Sequence, residues 1–213
     1  FHNGGGHVVD HQFLRASAEK PKSVDDSPMQ AFLFLGMEKL HVQHPAEAFD
    51  HNQPITLSAK TQIRGIILSG GRGNPYEPLN LTSNYIALMN FDVPVLGFCL
   101  GHEILAVAHR GRIKKLPEYH GKKEIITITQ PEDPIFEGLN KTEVALIKRH
   151  AYFVSELPPD FESLGTSETC TTEIIRHKHK PIYGFQSHPE VSGADGLLMV
   201  KNFLRICSIT DQP

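Results

Sequence analysis

One cysteine in the sequence has the surroundings of a catalytic nucleophile. Cys99 lies between Gly97 and Gly101, directly after an apolar stretch predicted as a strand and directly before a predicted helix. A nucleophile on a sharp strand-to-helix turn needs small residues on both sides, because a Cβ there would collide with the strained backbone. The helix N-terminus would favour the thiolate, and the Leu100 N–H would point toward a developing oxyanion. The alternative interpretation is a buried structural cysteine in a glycine-flanked turn.

A histidine and a glutamate late in the chain could complete such a site. His188, Pro189 and Glu190 follow an apolar stretch predicted as a strand over residues 182–186. Residues two apart in an extended segment share a side, and Pro189 favours an extended His188. Glu190 could therefore hold the ring nitrogen that faces away from Cys99, which predicts a Cys-His-Glu triad. Taken alone, His-Pro-Glu is more typical of a loop. Together with the cysteine turn it becomes a specific signal for a catalytic triad.

A glycine-rich loop offers a second donor for an oxyanion. Residues 69–73 read Ser-Gly-Gly-Arg-Gly and follow a short apolar run that ends at Leu68. The loop lacks the Gly-Lys-Ser/Thr ending of a phosphate-binding loop and the Gly-x-Gly-x-x-Gly pattern of a dinucleotide site. We therefore expect the Gly71 N–H to complete an oxyanion hole, with an ordinary glycine-rich turn as the alternative.

The elements that must position these residues follow an α/β pattern. Strands are predicted at 63–68, 93–97, 124–129, 143–148, 162–167, 172–177 and 182–186, and helices at 7–19, 79–90, 101–110 and 195–207. Short apolar strands separated by helices predict a parallel sheet covered on both faces, and the later strands, in quick succession, predict added antiparallel strands. Residues 20–28 are expected to form an exposed loop, and residues 29–42 a buried element of either type. We expect one domain over residues 1–213.

Composition narrows the class of protein and of partner. With 39% hydrophobic and 21% charged residues the chain is globular, and its net charge of −3 provides no bulk positive field for nucleic acid or an anionic membrane. No stretch approaches the roughly 20 apolar residues of a membrane helix. The odd, sparse set of three cysteines argues against a disulfide framework and for a reducing, cytoplasmic location. His177 and His179 flank Lys178 with no cysteine nearby, so we expect a solvated face there and no metal site.

Three segments resemble, in order and spacing, the signatures of class I (triad-type) glutamine amidotransferases. They are residues 67–75, 95–103 and 186–190, and the resemblance covers residues 63–207, with residues 1–60 divergent. Within the family, residues 180–191 and 202–204 are most similar to the glutaminase subunits or domains of GMP synthases. The resemblance implies a flavodoxin-like fold, with a mostly parallel sheet, helices on both faces and a few added antiparallel strands.

The resemblance also implies a reaction. Cys99 would attack the side-chain amide of glutamine, His188 with Glu190 would move the proton, and the Gly71 and Leu100 N–H groups would hold the oxyanion. Ammonia and a glutamyl thioester result, and water then releases glutamate without any cofactor. Ammonia would pass to a separate synthetase subunit, which is the expected partner. A stand-alone γ-glutamyl hydrolase or peptidase and a non-catalytic binding subunit with an altered pocket are the alternatives.

The implied glutamine pocket departs from the family pattern in two places. Its residues would be Gly70, Gly73, Glu103, His150, Ala151 and Tyr152. Glu103 stands where relatives usually have Gln, and Tyr152 where GMP synthases commonly have Asp, so residues 150–152 look closer to the small subunit of carbamoyl phosphate synthetase. An ionised Glu103 accepts hydrogen bonds but cannot donate one, which predicts weaker glutamine binding unless a cation such as Arg72 pairs with it. The alternative is a Glu103 side chain turned outward as a helix cap.

Overall fold

The computed structural model describes residues 29–35, 46–57 and 61–209. The strands are β1 (Met29–Leu35), β2 (Ala46–Phe49), β3 (Thr61–Leu68), β4 (Val95–Phe98), β5 (Arg112–Ile128), β6 (Glu143–Glu156), β7 (Phe161–Thr166), β8 (Ile174–His177) and β9 (Ile182–Phe185). The α-helices are α1 (Thr82–Asn90), α2 (Leu100–Ala108) and α3 (Ala194–Ile209), and short 3-10 turns lie at Pro78–Asn80, Pro134–Phe136 and Pro189–Val191. Within these described ranges, no helix is long and apolar enough to cross a membrane.

The strands of the described residues form one mixed sheet in the order β2-β1-β3-β4-β9-β8-β7-β5-β6. The strands from β2 to β9 run parallel to one another, and the pairs from β9 to β6 are antiparallel. This arrangement confirms the predicted α/β class with its added antiparallel strands. Because β3, β4 and β9 are parallel, their C-terminal ends meet at one edge of the sheet, where residues 69–73, Cys99 and His188 follow.

Helices cover both faces of the central strands, which explains why β4 and β9 are apolar throughout and fully buried. On one face α3 packs against alternate strand residues; this core includes Ile67, Leu96, Phe98, Phe185, Met199 and Phe203. On the other face α1 and α2 pack against the intervening residues; this core includes Ile66, Leu68, Val95, Leu81, Ile104 and Leu105. The alternation of adjacent strand residues between the two cores is the two-residue period of a β-strand.

The antiparallel hairpin of β5 and β6 is longer than the sequence predicts. The apolar pattern predicts strands at 124–129 and 143–148, whereas β5 starts at Arg112 and β6 continues to Glu156. The missed part of β5 is rich in exposed basic residues, so it lacks the apolar alternation that marks a half-buried strand. Its pairing with β6 is interrupted by a register shift between Lys115 and His120.

The structure shows that part of the ambiguous region 29–42 is a strand. Residues 29–35, within the expected buried element 29–42, form β1 between β2 and β3, while residues 36–42 lie outside the described part of the chain. The expected helix over 7–19 and loop over 20–28 also lie outside it. The sequence does not predict β2, because only Phe49 of its four residues is buried and the strand carries no apolar pattern.

Candidate active site

Cys99 occupies a strained turn between β4 and α2. Its backbone has φ 48° and ψ −104°, a left-handed conformation that residues other than glycine rarely adopt. A Cβ on Gly97 would lie 2.6 Å from the backbone of Gly101, and a Cβ on Gly101 would collide with the Leu68 carbonyl of β3. Both flanking glycines are therefore required by contact, as the sequence pattern predicts for a nucleophile elbow.

His188 and Glu190 meet Cys99 at the end of β9. Nδ1 of His188 lies 2.7 Å from Oε1 of Glu190, and the His188 side chain hydrogen-bonds the Cys99 thiol. Since Glu190 occupies Nδ1, the nitrogen that faces the thiol is Nε2. The structure thus brings together the three residues that the sequence proposes as a triad, in the order nucleophile, base and orienting carboxylate.

The backbone of His188 is fixed by the edge strand β6 through a residue that the sequence patterns do not reveal. The His188 N–H donates to the Ile147 carbonyl at 2.8 Å. The Ser192 hydroxyl accepts from the Ile147 N–H at 2.9 Å and donates to the His188 carbonyl at 2.5 Å. Ser192 therefore ties the segment that carries the base to β6. No sequence signal marks this serine, because its role depends on a strand paired only in the folded sheet.

The resting Cys99 is a neutral thiol. Burial raises the pKa of Cys99, and this effect outweighs the opposing hydrogen bonds from His188 and the Leu100 N–H. The single thiol proton has two acceptors within reach, the Arg149 carbonyl at 3.3 Å and the ring nitrogen of His188. The expectation that the helix N-terminus favours a thiolate identifies one contribution, but desolvation of the sulfur is larger. A thiol in this form must lose its proton before the sulfur can act as a nucleophile, and His188 is the base in contact with it.

The glycine-rich loop passes close to His188 of the triad and to Leu100, the residue that follows Cys99. A Cβ on Gly70 would lie 2.5 Å from Cε1 of His188, so no larger residue fits against the ring. A Cβ on Gly71 would lie 3.3 Å from Cδ2 of Leu100, and one on Gly73 3.6 Å from the same atom. The loop therefore reaches the first residue of α2, whose N–H is the other expected oxyanion donor, while the oxyanion roles of Gly71 and Leu100 remain predictions.

Glu103 points into the protein and pairs with a glutamine. Its side chain is 3% exposed, and Oε1 accepts a hydrogen bond of 3.0 Å from Nε2 of Gln186. Burial raises the pKa of Glu103 to about 8, so the neutral acid predominates at pH 7. The outward helix cap is therefore wrong, and the partner of Glu103 is Gln186 in place of the Arg72 considered from the sequence. Whether Glu103 contacts substrate remains a prediction.

Residues 150–152 lie inside β6, where the sequence did not predict a strand. His150 is buried, and its Nδ1 donates to the Tyr152 carbonyl at 2.6 Å, which leaves Nε2 without a hydrogen-bond partner among the described residues. Burial lowers the pKa of His150 to about 4. The strand period places Ala151 on the opposite face, and Tyr152 packs against a small apolar cluster. A neutral His150 next to the triad can offer Nε2 as an acceptor.

A buried ion pair lies directly behind the site and was not predicted. Lys148 precedes Arg149 on β6 and is fully buried; its ammonium bonds Glu173, and also Oε2 of Glu124 at 3.0 Å. The Glu173 carbonyl in turn accepts from the Gln186 N–H at 2.8 Å. This cluster links β6 to the segment that carries Gln186 and His188. A lysine is almost never fully buried without paired carboxylates, and sequence alone does not reveal that pairing.

Comparison with known proteins assigns the family. A family model described as "Glutamine amidotransferase class-I" matches residues 27–207, so the similarity begins well before residue 63, where the sequence motifs begin. The chain is 34% identical over 174 residues to a glutamine-hydrolyzing GMP synthase subunit of Methanococcus aeolicus, covering 79% of this chain and 88% of that one. It is 38% identical over 146 residues to the same subunit of Pyrococcus abyssi, covering 67% and 75% respectively.

A solved structure agrees with these relatives. A crystal structure described as that of a GMP synthase subunit from Thermoplasma acidophilum superimposes with a TM-score of 0.73 at 25% identity, over 85% of this chain and 96% of that one. The two sequence relatives and the solved structure are all described as GMP synthase subunits. In this chain the same fold carries the strained Cys99 turn and the His188–Glu190 pair. The chain belongs to the class I glutamine amidotransferases.

Proposed function

We propose that this chain, as one amidotransferase domain, is the glutaminase subunit of a GMP synthase and supplies ammonia to a synthetase subunit. The observation that carries the proposal is the hydrogen-bonded series of Cys99, His188 and Glu190 at a strained strand-to-helix turn. The names of the relatives support the synthetase partner, because they describe one subunit of a GMP synthase.

The first half of the reaction follows from the protonation states of the site. His188 Nε2 takes the Cys99 proton as the sulfur attacks the amide carbon of glutamine, and Glu190 stabilises the imidazolium that forms. The Leu100 and Gly71 N–H groups hold the resulting oxyanion. When the tetrahedral intermediate collapses, the C–N bond breaks, His188 returns the proton to the leaving nitrogen, and ammonia departs.

The second half hydrolyses the thioester. His188, again neutral, takes a proton from water as the water oxygen attacks the thioester carbon, and the C–S bond then breaks. Glutamate leaves and Cys99 regains its proton, so protons and electrons balance among the triad, water and substrate. Because the nucleophile must stay a thiol, we place the reaction in a reducing compartment such as the cytoplasm, consistent with Cys99, Cys170 and Cys207 all being free.

We assign glutamine recognition to Gly70, Gly73, Glu103, His150, Ala151 and Tyr152. The buried position and neutral form of Glu103 support this assignment, since a protonated carboxyl can donate as the family's amide does. Nε2 of His150, which has no partner among the described residues, is available as an acceptor for a substrate ammonium or amide group.

The test measures glutamate and ammonia release from glutamine by the purified chain, alone and with the synthetase subunit from the same source. We expect low release alone and a marked increase with the synthetase, because the loop over residues 69–73 must aim an N–H at the oxyanion. High release that ignores the synthetase, together with cleavage of γ-glutamyl peptides, would establish the stand-alone hydrolase instead. Absence of release under both conditions would establish a non-catalytic subunit.

A further inference from the structure

His51, in the turn after β2, is a buried histidine outside the triad. His51 is only 7% exposed. Its Nδ1 lies 3.0 Å from Nδ2 and 3.2 Å from Oδ1 of Asn84 on α1. The His51 carbonyl accepts from the Ser83 N–H at 3.1 Å. These contacts fix both the backbone and the ring of His51 against the N-terminal half of α1.

The other ring nitrogen of His51 faces the proposed oxyanion loop. Nε2 is buried without a hydrogen-bond partner in the described structure, and it lies 2.5 Å from the position that a Cβ on Gly71 would occupy. Cδ2 of Leu100 lies 3.3 Å from the same position. A buried polar nitrogen without a partner is costly, so its position against a loop that needs to turn indicates a use for it.

We infer that His51 is a positioning residue for the oxyanion loop, an inference that rests on the proposed glutaminase function. A trans peptide that points its N–H into the site must point its carbonyl the other way, so the loop needs a polar partner outside the site. Nε2 of His51 supplies that partner to the backbone of residues 70–72 when the Gly71 N–H turns toward the oxyanion. A fixed partner lowers the cost of ordering the loop in the reactive arrangement.

Two amide substitutions separate this role from simple packing. In His51→Gln the side-chain amide reaches the position of Nε2, whereas in His51→Asn it reaches only the position of Nδ1. The Asn variant thus keeps a polar group near Asn84 and loses the one that faces Gly71. The same substitution at the exposed His179, His179→Asn, serves as the matched control.

The experiment measures glutamine turnover and, separately, alkylation of Cys99 by iodoacetamide, both in complex with the synthetase. Alkylation displaces iodide at a saturated carbon and forms no oxyanion, so it reports on the thiol alone. We expect His51→Asn to lower kcat about tenfold or more, with KM and the alkylation rate within twofold of the wild type. His51→Gln should recover most of kcat, and His179→Asn should match the wild type.

Different results would contradict the role of His51 and the proposed function. Equal kcat in the Asn and Gln variants, or a parallel fall in alkylation, would overturn the positioning role, because a packing defect moves both measurements. Thermal unfolding of each variant identifies loss of fold as such a defect. The proposed function fails separately: absence of ammonia release by the wild-type complex would overturn the glutaminase, and release at the wild-type rate by Cys99→Ala would overturn the Cys99 mechanism. An inactive Cys99→Ala beside a fully active His51→Asn would overturn only the role of His51.

Discussion

The amide of Gln186 donates a hydrogen bond of 3.0 Å to the Glu103 carboxyl, and both side chains are buried beside the triad. Desolvation raises the pKa of Glu103 to about 8, against the weaker opposing effect of this hydrogen bond. A neutral carboxyl has nearly the shape of an amide and can donate one hydrogen bond. The glutamate thus preserves the hydrogen-bonding character of the family's glutamine at neutral pH, while an ionised form would raise the pKa of Cys99.

The buried Glu103 makes stability fall as pH rises. Its folded-state pKa of about 8 lies above an ordinary value of 4.5, so between these values the folded state holds a proton that the unfolded state has lost. Linkage then predicts a loss of about 1.4 kcal/mol per pH unit across that window. We expect Glu103→Gln to remove this loss, so that its stability advantage over the wild type grows from pH 5 to pH 8. Urea unfolding at several pH values measures it, with the exposed Glu132→Gln as control; parallel wild-type and Glu103→Gln curves would contradict the prediction.

The central part of the site could be predicted because its chemistry is local in sequence. Gly97, Cys99 and Gly101 mark a sharp turn between the buried strand β4 and the helix α2. The constraint on Gly97 is local, because a Cβ there would meet the Gly101 backbone, whereas a Cβ on Gly101 would meet Leu68 of β3. His188 and Glu190 are two residues apart and do contact each other, but the segment is a 3-10 turn over Pro189–Val191 and not the extended strand that the sequence analysis expected. In each case a few adjacent residues carry the pattern, even where one contact that requires them lies elsewhere in the fold.

The supporting residues could not be predicted because their partners are distant in sequence. Ser192 bonds Ile147, Lys148 bonds Glu173, and His51 faces Gly71, and each pair forms only after the sheet has set its strand order. The protonation of Glu103 likewise depends on burial by several elements. Sequence patterns show which residues are polar, but the cost of burying them depends on the complete fold.

Cys99 is expected to be the reactive thiol, even though all three cysteines are similarly buried, at 4%, 6% and 1% exposure for Cys99, Cys170 and Cys207. Accessibility therefore does not distinguish them. Cys99 has a base hydrogen-bonded to its sulfur, whereas burial raises the pKa of Cys207 to about 12. A glutamine-analogue electrophile should label Cys99 alone, as read by peptide mass spectrometry, and Cys99→Ala should lose turnover. Labelling of Cys170 or Cys207 with full activity in Cys99→Ala would refute this.

The two partners of Cys99 should differ in their effect on turnover. His188→Ala removes the proton carrier, so we expect a loss of roughly 100-fold or more in kcat. Glu190→Gln keeps a hydrogen-bonding group on Nδ1 but removes the charge that stabilises the imidazolium, so its loss should be smaller. Steady-state ammonia release measures both. Wild-type rates in the two variants would show that the His188–Glu190 contact is structural only.

Removal of the Ser192 hydroxyl should change the position of the His188 base, although Ser192 bonds only the backbone of that residue. Ser192→Ala leaves the Ile147 N–H and the His188 carbonyl without the partner they share, at a cost of about 1–3 kcal/mol in unfolding free energy. Because the His188 backbone is then less constrained, we expect kcat to fall by roughly tenfold with KM little changed. Ser208→Ala, on the exposed side of α3, is the control. Unchanged kcat in a destabilised Ser192→Ala would limit the serine to a structural role.

The buried Lys148 should be the least tolerant of the supporting residues. Lys148→Met leaves the Glu173 carboxylate in a dry environment with the Ser167 hydroxyl, at 2.6 Å, but without its cation. Breaking one side of a buried ion pair costs about 3–5 kcal/mol, whereas replacing both charges costs far less. We expect Lys148→Met combined with Glu173→Gln to recover much of the stability lost in Lys148→Met, and the exposed Lys201→Met to change it little. Denaturant unfolding gives the coupling free energy through a double-mutant cycle. Strictly additive losses would show that the two side chains do not stabilise each other, and that β6 is held beside the site by its backbone pairing alone.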